Sequence, residues 1–227
     1  MNTMLVFLIV FAIISVAHII FILLEKTKPR YMSKLLIVPP LLAAYIAGAE
    51  TPLLFPVFAL TLGWLGDLLL IRIEKKICFK LGLASFLLGH LCYIFTFIWF
   101  LGFLGAAGAG MLNITVLVIC IPPAIIGGVM LLRLIKPAKE MFIPVIVYMI
   151  VIQTMTILGL QVLIFNPGFA GALVFLGCVC FMFSDSVLAY FTFRKINRYG
   201  TALLMSFYIL AQAGIIMGVM SLTGALF

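Results

Sequence analysis

The strongest constraint on this chain is a series of eight apolar stretches, each near the roughly 20 residues an α-helix needs to cross hydrocarbon. They run Met4–Leu24, Ser33–Ala49, Pro52–Ile71, Lys80–Leu101, Met111–Leu132, Met141–Leu163, Phe169–Phe193 and Gly200–Thr223. In lipid, a helix satisfies its backbone donors and acceptors internally. The stretches therefore predict an all-α integral membrane protein, a single transmembrane domain over residues 1–227. The second stretch is the shortest. Pro39-Pro40 in it and Pro122-Pro123 in the fifth predict kinks, because proline removes a helix hydrogen bond.

Charge supports that count. Only 9% of residues are charged and 67% are hydrophobic, whereas soluble domains carry about 25% charged residues. That excludes a soluble globular domain, a disordered tail and a disulfide-rich secreted module. All 14 Lys and Arg residues fall in alternate connections, from Lys26–Lys34 after the first stretch to Arg194–Arg198 after the seventh. The positive-inside rule places those connections in the cytoplasm and both termini outside, in the cell (inner) membrane. The net charge of +8 is thus a topology label and not a sign of a nucleic-acid partner. The first stretch does not read as a cleavable signal peptide, since its apolar run is long and its positive charges follow it. The five cysteines show no CxxC spacing and read as small apolar filler.

A weak internal repeat is also visible. Lys28-Pro29 and Lys136-Pro137 precede the second and sixth stretches, and Gly66-Asp67 and Ser184-Asp185 lie late in the third and seventh. Four helices per half is an even number, so the halves would be parallel.

Four acidic residues, Glu25, Glu50, Glu74 and Glu140, sit at helix ends or in connections. Asp67 and Asp185 instead interrupt apolar runs. An acidic residue there costs about 2.5–3.5 kcal/mol on the insertion scale, which makes it a functional candidate. At about 1.5 Å per residue, Asp67 lies roughly 7 Å, Asp185 roughly 13 Å and His90 roughly 15 Å below the cytoplasmic boundary. A low-dielectric carboxyl pair can hold a proton near neutral pH, as a general acid requires. Helical spacing places Phe86, His90, Tyr93 and Phe97 on one face, and Tyr208 and Gln212 on one face of the last helix. His18, Tyr148 and Gln153 are further intramembrane polar groups. Metal hydrolase chemistry fits poorly: the two histidines lie in separate helices and no HExxH or paired-cysteine spacing exists. There is no GxSxG elbow or Walker loop either. Ser184 lacks a histidine beside it in sequence.

Taken together, these residues resemble the YhhN family, which includes the TMEM86 lysoplasmalogenases. Gly66-Asp67-Leu68-Leu69-Leu70 is similar to its GD-x-x-L signature. Phe79, Gly82, Phe86, His90 and Tyr93 follow the family's F-x-x-G-x-x-x-F-x-x-x-H-x-x-Y spacing. Phe183-Ser184-Asp185-Ser186-Val187-Leu188 resembles its second acidic motif, and Tyr208-Ile209-Leu210-Ala211-Gln212 its final Y-x-x-A-Q. One departure is that the family often carries Lys-Pro at the start of the second helix. Here Lys34 is followed by Leu35, and the nearest Lys-Pro is Lys28-Pro29.

The resemblance implies hydrolysis of the vinyl ether bond of a lysoplasmalogen, a lysophospholipid taken from the bilayer, to a fatty aldehyde and a glycerophospho-alcohol. A vinyl ether is basic at its β-carbon, and protonation there gives an oxocarbenium ion that water captures. Such chemistry needs an acid, an anion to stabilise the cation and a base to orient water. It requires no metal and no organic cofactor. Asp67, Asp185 and His90 are the catalytic candidates. Tyr93, Tyr148, Ser184, Tyr208, Gln212 and Lys34 are the candidates for substrate contact, and Lys28, Arg72 and Lys75 are further cations for the phosphate. Two other readings stand beside this one. Buried Asp, His and Tyr also build the relays of a small proton-coupled transporter, and a structural or lipid-binding membrane protein needs no chemistry.

Overall fold

The computed structural model describes residues 3–103, 142–192 and 197–224. They form seven helices: α1 (Thr3–Leu23), α2 (Thr27–Gly48), α3 (Leu54–Leu70), α4 (Lys76–Phe103), α5 (Phe142–Phe165), α6 (Phe169–Thr192) and α7 (Arg198–Leu222). The predicted stretch Met111–Leu132, with Pro122-Pro123, lies outside the described residues, as do Arg133, Lys136, Lys139, Arg194 and Lys195. Among the described residues there is no strand.

Six of the seven helices are long and apolar enough to cross a membrane, and α3 is a shorter apolar helix. The expectation that the second stretch is shortest does not hold. α2 spans 22 residues because it starts at Thr27, six residues early, whereas α3 spans 17. The extra turns carry basic side chains, whose long stems reach water while the backbone stays helical. α4 likewise begins at Lys76, ahead of the predicted Lys80. Pro39 and Pro40 lie inside α2 without ending it.

Short connections hold neighbours together. α1 turns into α2 through Glu25, whose φ is 55°. The Lys26 N–H reaches back to the Phe21 carbonyl at 2.9 Å, and the Glu25 N–H to Ile22 at 3.0 Å. This is a Schellman ending with glutamate in the left-handed position that glycine usually fills. The loop between α2 and α3 is fastened by Tyr45, whose hydroxyl accepts from the Leu53 N–H at 2.9 Å. Asn197 caps α7, its side chain accepting from the Gly200 N–H at 2.8 Å, as N-cap residues do.

Successive helices pack side by side, and α7 returns to touch α1 and α2, closing the described helices into a ring. Large apolar side chains such as Ile13, Val16, Leu54 and Ile150 face outward, which suits contact with lipid. Several polar side chains within the helices, Asp67 and His90 among them, are buried. Small residues allow the closest approaches, as is usual between membrane helices. A Cβ built on Gly177 of α6 would meet the Ile215 backbone nitrogen of α7 at 2.7 Å, and one on Gly218 would meet the Ala170 carbonyl at 2.8 Å.

Those neighbours are backbone and cannot swing aside. Gly177→Ala and Gly218→Ala are each expected to force α6 and α7 apart, costing about 1–3 kcal/mol. The check is the thermal melting temperature of the purified protein in detergent, which should fall for both.

Candidate functional site

Construction of the site begins at a missing hydrogen bond. Pro39 has no N–H to give the carbonyl four residues before it, which belongs to Leu35. The Trp64 indole N–H of α3 donates to that carbonyl at 2.8 Å. On the other side of Lys34, the Ser33 hydroxyl lies 2.8 Å from His18 Nδ1 of α1 and donates to the Arg30 carbonyl at 3.1 Å. Lys34 is therefore held between two neighbours, each tied to a different helix. Its Nζ lies 3.2 Å from Asp67 Oδ1, and Asp67 stands one turn beyond Trp64 on α3.

The other Asp67 oxygen is also taken. The Tyr208 hydroxyl of α7 donates to Oδ2 at 2.7 Å. Gln212 Nε2 lies 3.4 Å from that hydroxyl, to which it donates, and the Tyr93 hydroxyl of α4 donates to Gln212 Oε1 at 2.6 Å. Two glycines make room. A Cβ on Gly63, four residues before Asp67, would lie 2.9 Å from Gln212 Nε2, and one on Gly66 would run into the Phe86 ring at 2.7 Å. Phe86 in turn meets Tyr208 edge-on, with ring centroids 5.9 Å apart.

Asp185 on α6 has a separate set of partners. The Tyr148 hydroxyl of α5 donates to Oδ2 at 2.7 Å, and His90 Nε2 of α4 lies 3.6 Å from the same oxygen. The His90 ring stands edge-on to Tyr148 at 5.5 Å and to Phe181 at 4.9 Å. It is buried to 2% exposure, yet neither of its nitrogens has a hydrogen-bond partner. Phe181 also packs against Tyr93 at 6.2 Å and Tyr208 at 5.8 Å. One aromatic side chain thus borders both carboxyl clusters. The Asp185 side chain is 11% exposed and that of Asp67 3%.

The two clusters correspond in their sources. Asp67 on α3 takes Lys34 from the helix just before it and Tyr208 from α7. Asp185 on α6 takes Tyr148 from the helix just before it and faces His90 on α4. Among the described residues, no group of three His, Cys, Asp or Glu side chains is arranged to hold a metal.

Of the residues the sequence singled out, Asp67, Asp185, His90, Tyr93, Tyr148, Tyr208, Gln212 and Lys34 join these two clusters. Ser184 does not. It turns toward α7 and donates to the Leu204 carbonyl at 3.3 Å, because adjacent helical residues point in different directions. Lys28, Arg72 and Lys75 are exposed, and it is Lys34 that reaches Asp67. Sequence reasoning passed over Trp64, Ser33 and Phe181. Trp64 had a usable signal: Pro39 strands a carbonyl, and an intramembrane indole N–H needs an acceptor.

The family model described as the YhhN family matches residues 29–219, a span that holds both clusters. No curated protein and no solved structure matches the chain.

Two stability cycles follow from the geometry. Lys34→Met leaves Asp67 without its cation. It is expected to destabilise by about 3 kcal/mol, the low end for a buried pair, since Lys34 keeps 16% exposure. Adding Asp67→Asn should recover most of that loss in a melting experiment. Trp64→Phe strands the Leu35 carbonyl and is expected to cost about 1–3 kcal/mol. Adding Pro39→Ala restores an N–H to that carbonyl, so the double variant should melt above Trp64→Phe alone.

Proposed function

The chain belongs to the YhhN family, and from that premise we propose that it is a membrane-embedded hydrolase. Its substrate is a lysoplasmalogen drawn from the bilayer, whose vinyl ether bond it cleaves to a fatty aldehyde and a glycerophospho-alcohol. The observation that carries this reading is His90, fully buried beside Asp185 with both nitrogens unbonded. Leaving such a group unpaired costs about 1–3 kcal/mol. A reaction site recovers that cost when water and substrate supply the partners.

Roles follow from the partners of each carboxyl. Both Asp67 oxygens are engaged, by Lys34 and by Tyr208. Its charge is balanced and its position fixed, which suits an anion set opposite a developing cation. Asp185 has no cation beside it among the described residues, only the Tyr148 hydroxyl and the His90 ring, and its carboxyl gives a proton to the β-carbon. The C–H bond forms as the double bond's electrons move, and the ether oxygen shares the resulting positive charge. Water then adds to the oxocarbenium carbon and loses a proton to His90. The hemiacetal collapses, its hydroxyl proton passing to the departing glycerol oxygen, to leave the aldehyde. His90 returns its proton to Asp185 across the 3.6 Å between them, and the cycle closes with one water consumed.

The same proposal includes the topology. The chain crosses eight times, with Met111–Leu132 as the remaining span, its basic connections in the cytoplasm and both ends outside. The confinement of every Lys and Arg to alternate connections and the helix ends that flank them supports that arrangement. The corresponding partner sets of Asp67 and Asp185 support two parallel four-helix halves.

Purified protein incubated with a lysoplasmalogen should release aldehyde. Asp67→Asn and Asp185→Asn, each retaining its fold, should lower the rate by about 100-fold or more, the usual size of a general acid–base contribution. Full activity in a folded Asp185→Asn variant would overturn the assignment. Proton flux in liposomes with an unchanged solute would favour a carrier instead.

A further inference from the structure

Outside these two clusters, α1 carries a second buried polar pair. Ser15 and His18 lie one turn apart on the same face, 6% and 1% exposed. Ser15 Oγ and His18 Nε2 have no hydrogen-bond partner. Ser15 does not even bond back to its own helix, the usual fate of a serine in a helix interior.

The tautomer of His18 follows from its neighbour. Ser33 has one hydroxyl proton, and it goes to the Arg30 carbonyl. Ser33 Oγ must therefore accept from His18 Nδ1, 2.8 Å away. The Nδ1 proton is committed and Nε2 presents a lone pair. The pair thus offers an acceptor at His18 and a hydroxyl at Ser15 that can donate. A single hydroxyl group matches both, giving its proton to Nε2 and accepting from Ser15.

We infer that Ser15 and His18 form a receptor for one hydroxyl group, the free glycerol hydroxyl of the lysolipid; that identity rests on the function proposed above. The pair is linked to the chemistry through α2. Ser33, which orients His18, is the residue before Lys34, and Lys34 pairs with Asp67. In a lysolipid the free hydroxyl sits on the glycerol carbon next to the one bearing the ether oxygen. A lipid acylated there has no proton to give, and its ester oxygens would face the Nε2 lone pair. A buried site that hydrogen-bonds a hydroxyl strongly rejects an analogue lacking it, because its own polar atoms stay unpaired. The pair therefore selects single-chain over two-chain lipids. Both residues precede residue 29, where the family match begins.

The test uses binding, so that it does not depend on turnover. The probes are a 1-O-alkyl lysolipid, whose saturated ether has no double bond to protonate, and its 2-O-methyl analogue. Wild type should bind the free hydroxyl form about tenfold or more tightly than the methylated one. Ser15→Ala and His18→Phe should each bring that ratio toward one. Ser15→Ala removes only one oxygen and keeps the readout interpretable if His18→Phe misfolds. A ratio that is the same in wild type and Ser15→Ala overturns the inference and means the pair holds an ordered water only. Wild-type protein that releases aldehyde but does not distinguish the probes overturns this inference alone. Protein that binds neither probe and releases no aldehyde overturns the hydrolase reading and this inference with it.

Discussion

The contact on which the polar interior depends is the ion pair between Lys34 and Asp67. A lone carboxylate in hydrocarbon costs several kcal/mol, and so does a lone ammonium. At 3.2 Å each neutralises the other, and the other polar contacts near Asp67 keep that geometry. Trp64 pins the residue after Lys34 to α3, and His18 pins the residue before it to α1. From the far side Tyr208, Gln212 and Tyr93 extend the pair across the ring to α7 and α4. One connected set of side chains thereby ties five helices together, in a medium where hydrophobic contact does little to hold one helix against another.

The second carboxyl is solved differently. Asp185 has a phenol and an imidazole beside it, and among the described residues no Lys or Arg pairs with it. Phe181 fills the space between the clusters, touching His90 on one side and Tyr208 on the other. An apolar ring at that point keeps the two hydrogen-bond systems separate, so the proton inventory of one is not shared directly with the other. The surroundings of the two carboxyls therefore differ: among the described residues a cation faces Asp67 and none faces Asp185.

Much of this was legible in the sequence, for a physical reason. The bilayer accepts few backbone solutions, so apolar length and the placement of Lys and Arg give the helices directly. It also penalises buried polar groups, so Asp67, Asp185, His90, Tyr208 and Gln212 stood out against apolar surroundings. Lys34 reads there only as a cation for the substrate, because a basic residue near a helix end gives no sign that it pairs with a buried carboxylate. Its role appears only once α2 is seen to start at Thr27, which sets Lys34 well inside the helix. Ser184 erred the other way, since proximity in sequence to Asp185 says nothing about a shared face. The pairing of Trp64 with Leu35 depends on how two helices meet, and no single stretch of sequence records that.

Directionality distinguishes the two carboxyls further. Tyr93 donates to Gln212, Gln212 to Tyr208 and Tyr208 to Asp67, so every donor in the chain points toward one carboxylate. Hydrogen bonds aligned in this way polarise one another, and Lys34 closes the arrangement from the opposite side. Both oxygens of Asp67 are thus engaged. Asp185 has Oδ2 engaged by Tyr148, and the His90 imidazole, with neither nitrogen hydrogen-bonded, lies 3.6 Å from that same oxygen. On the function proposed above, that difference suits Asp67 to holding charge in place and Asp185 to giving up a proton.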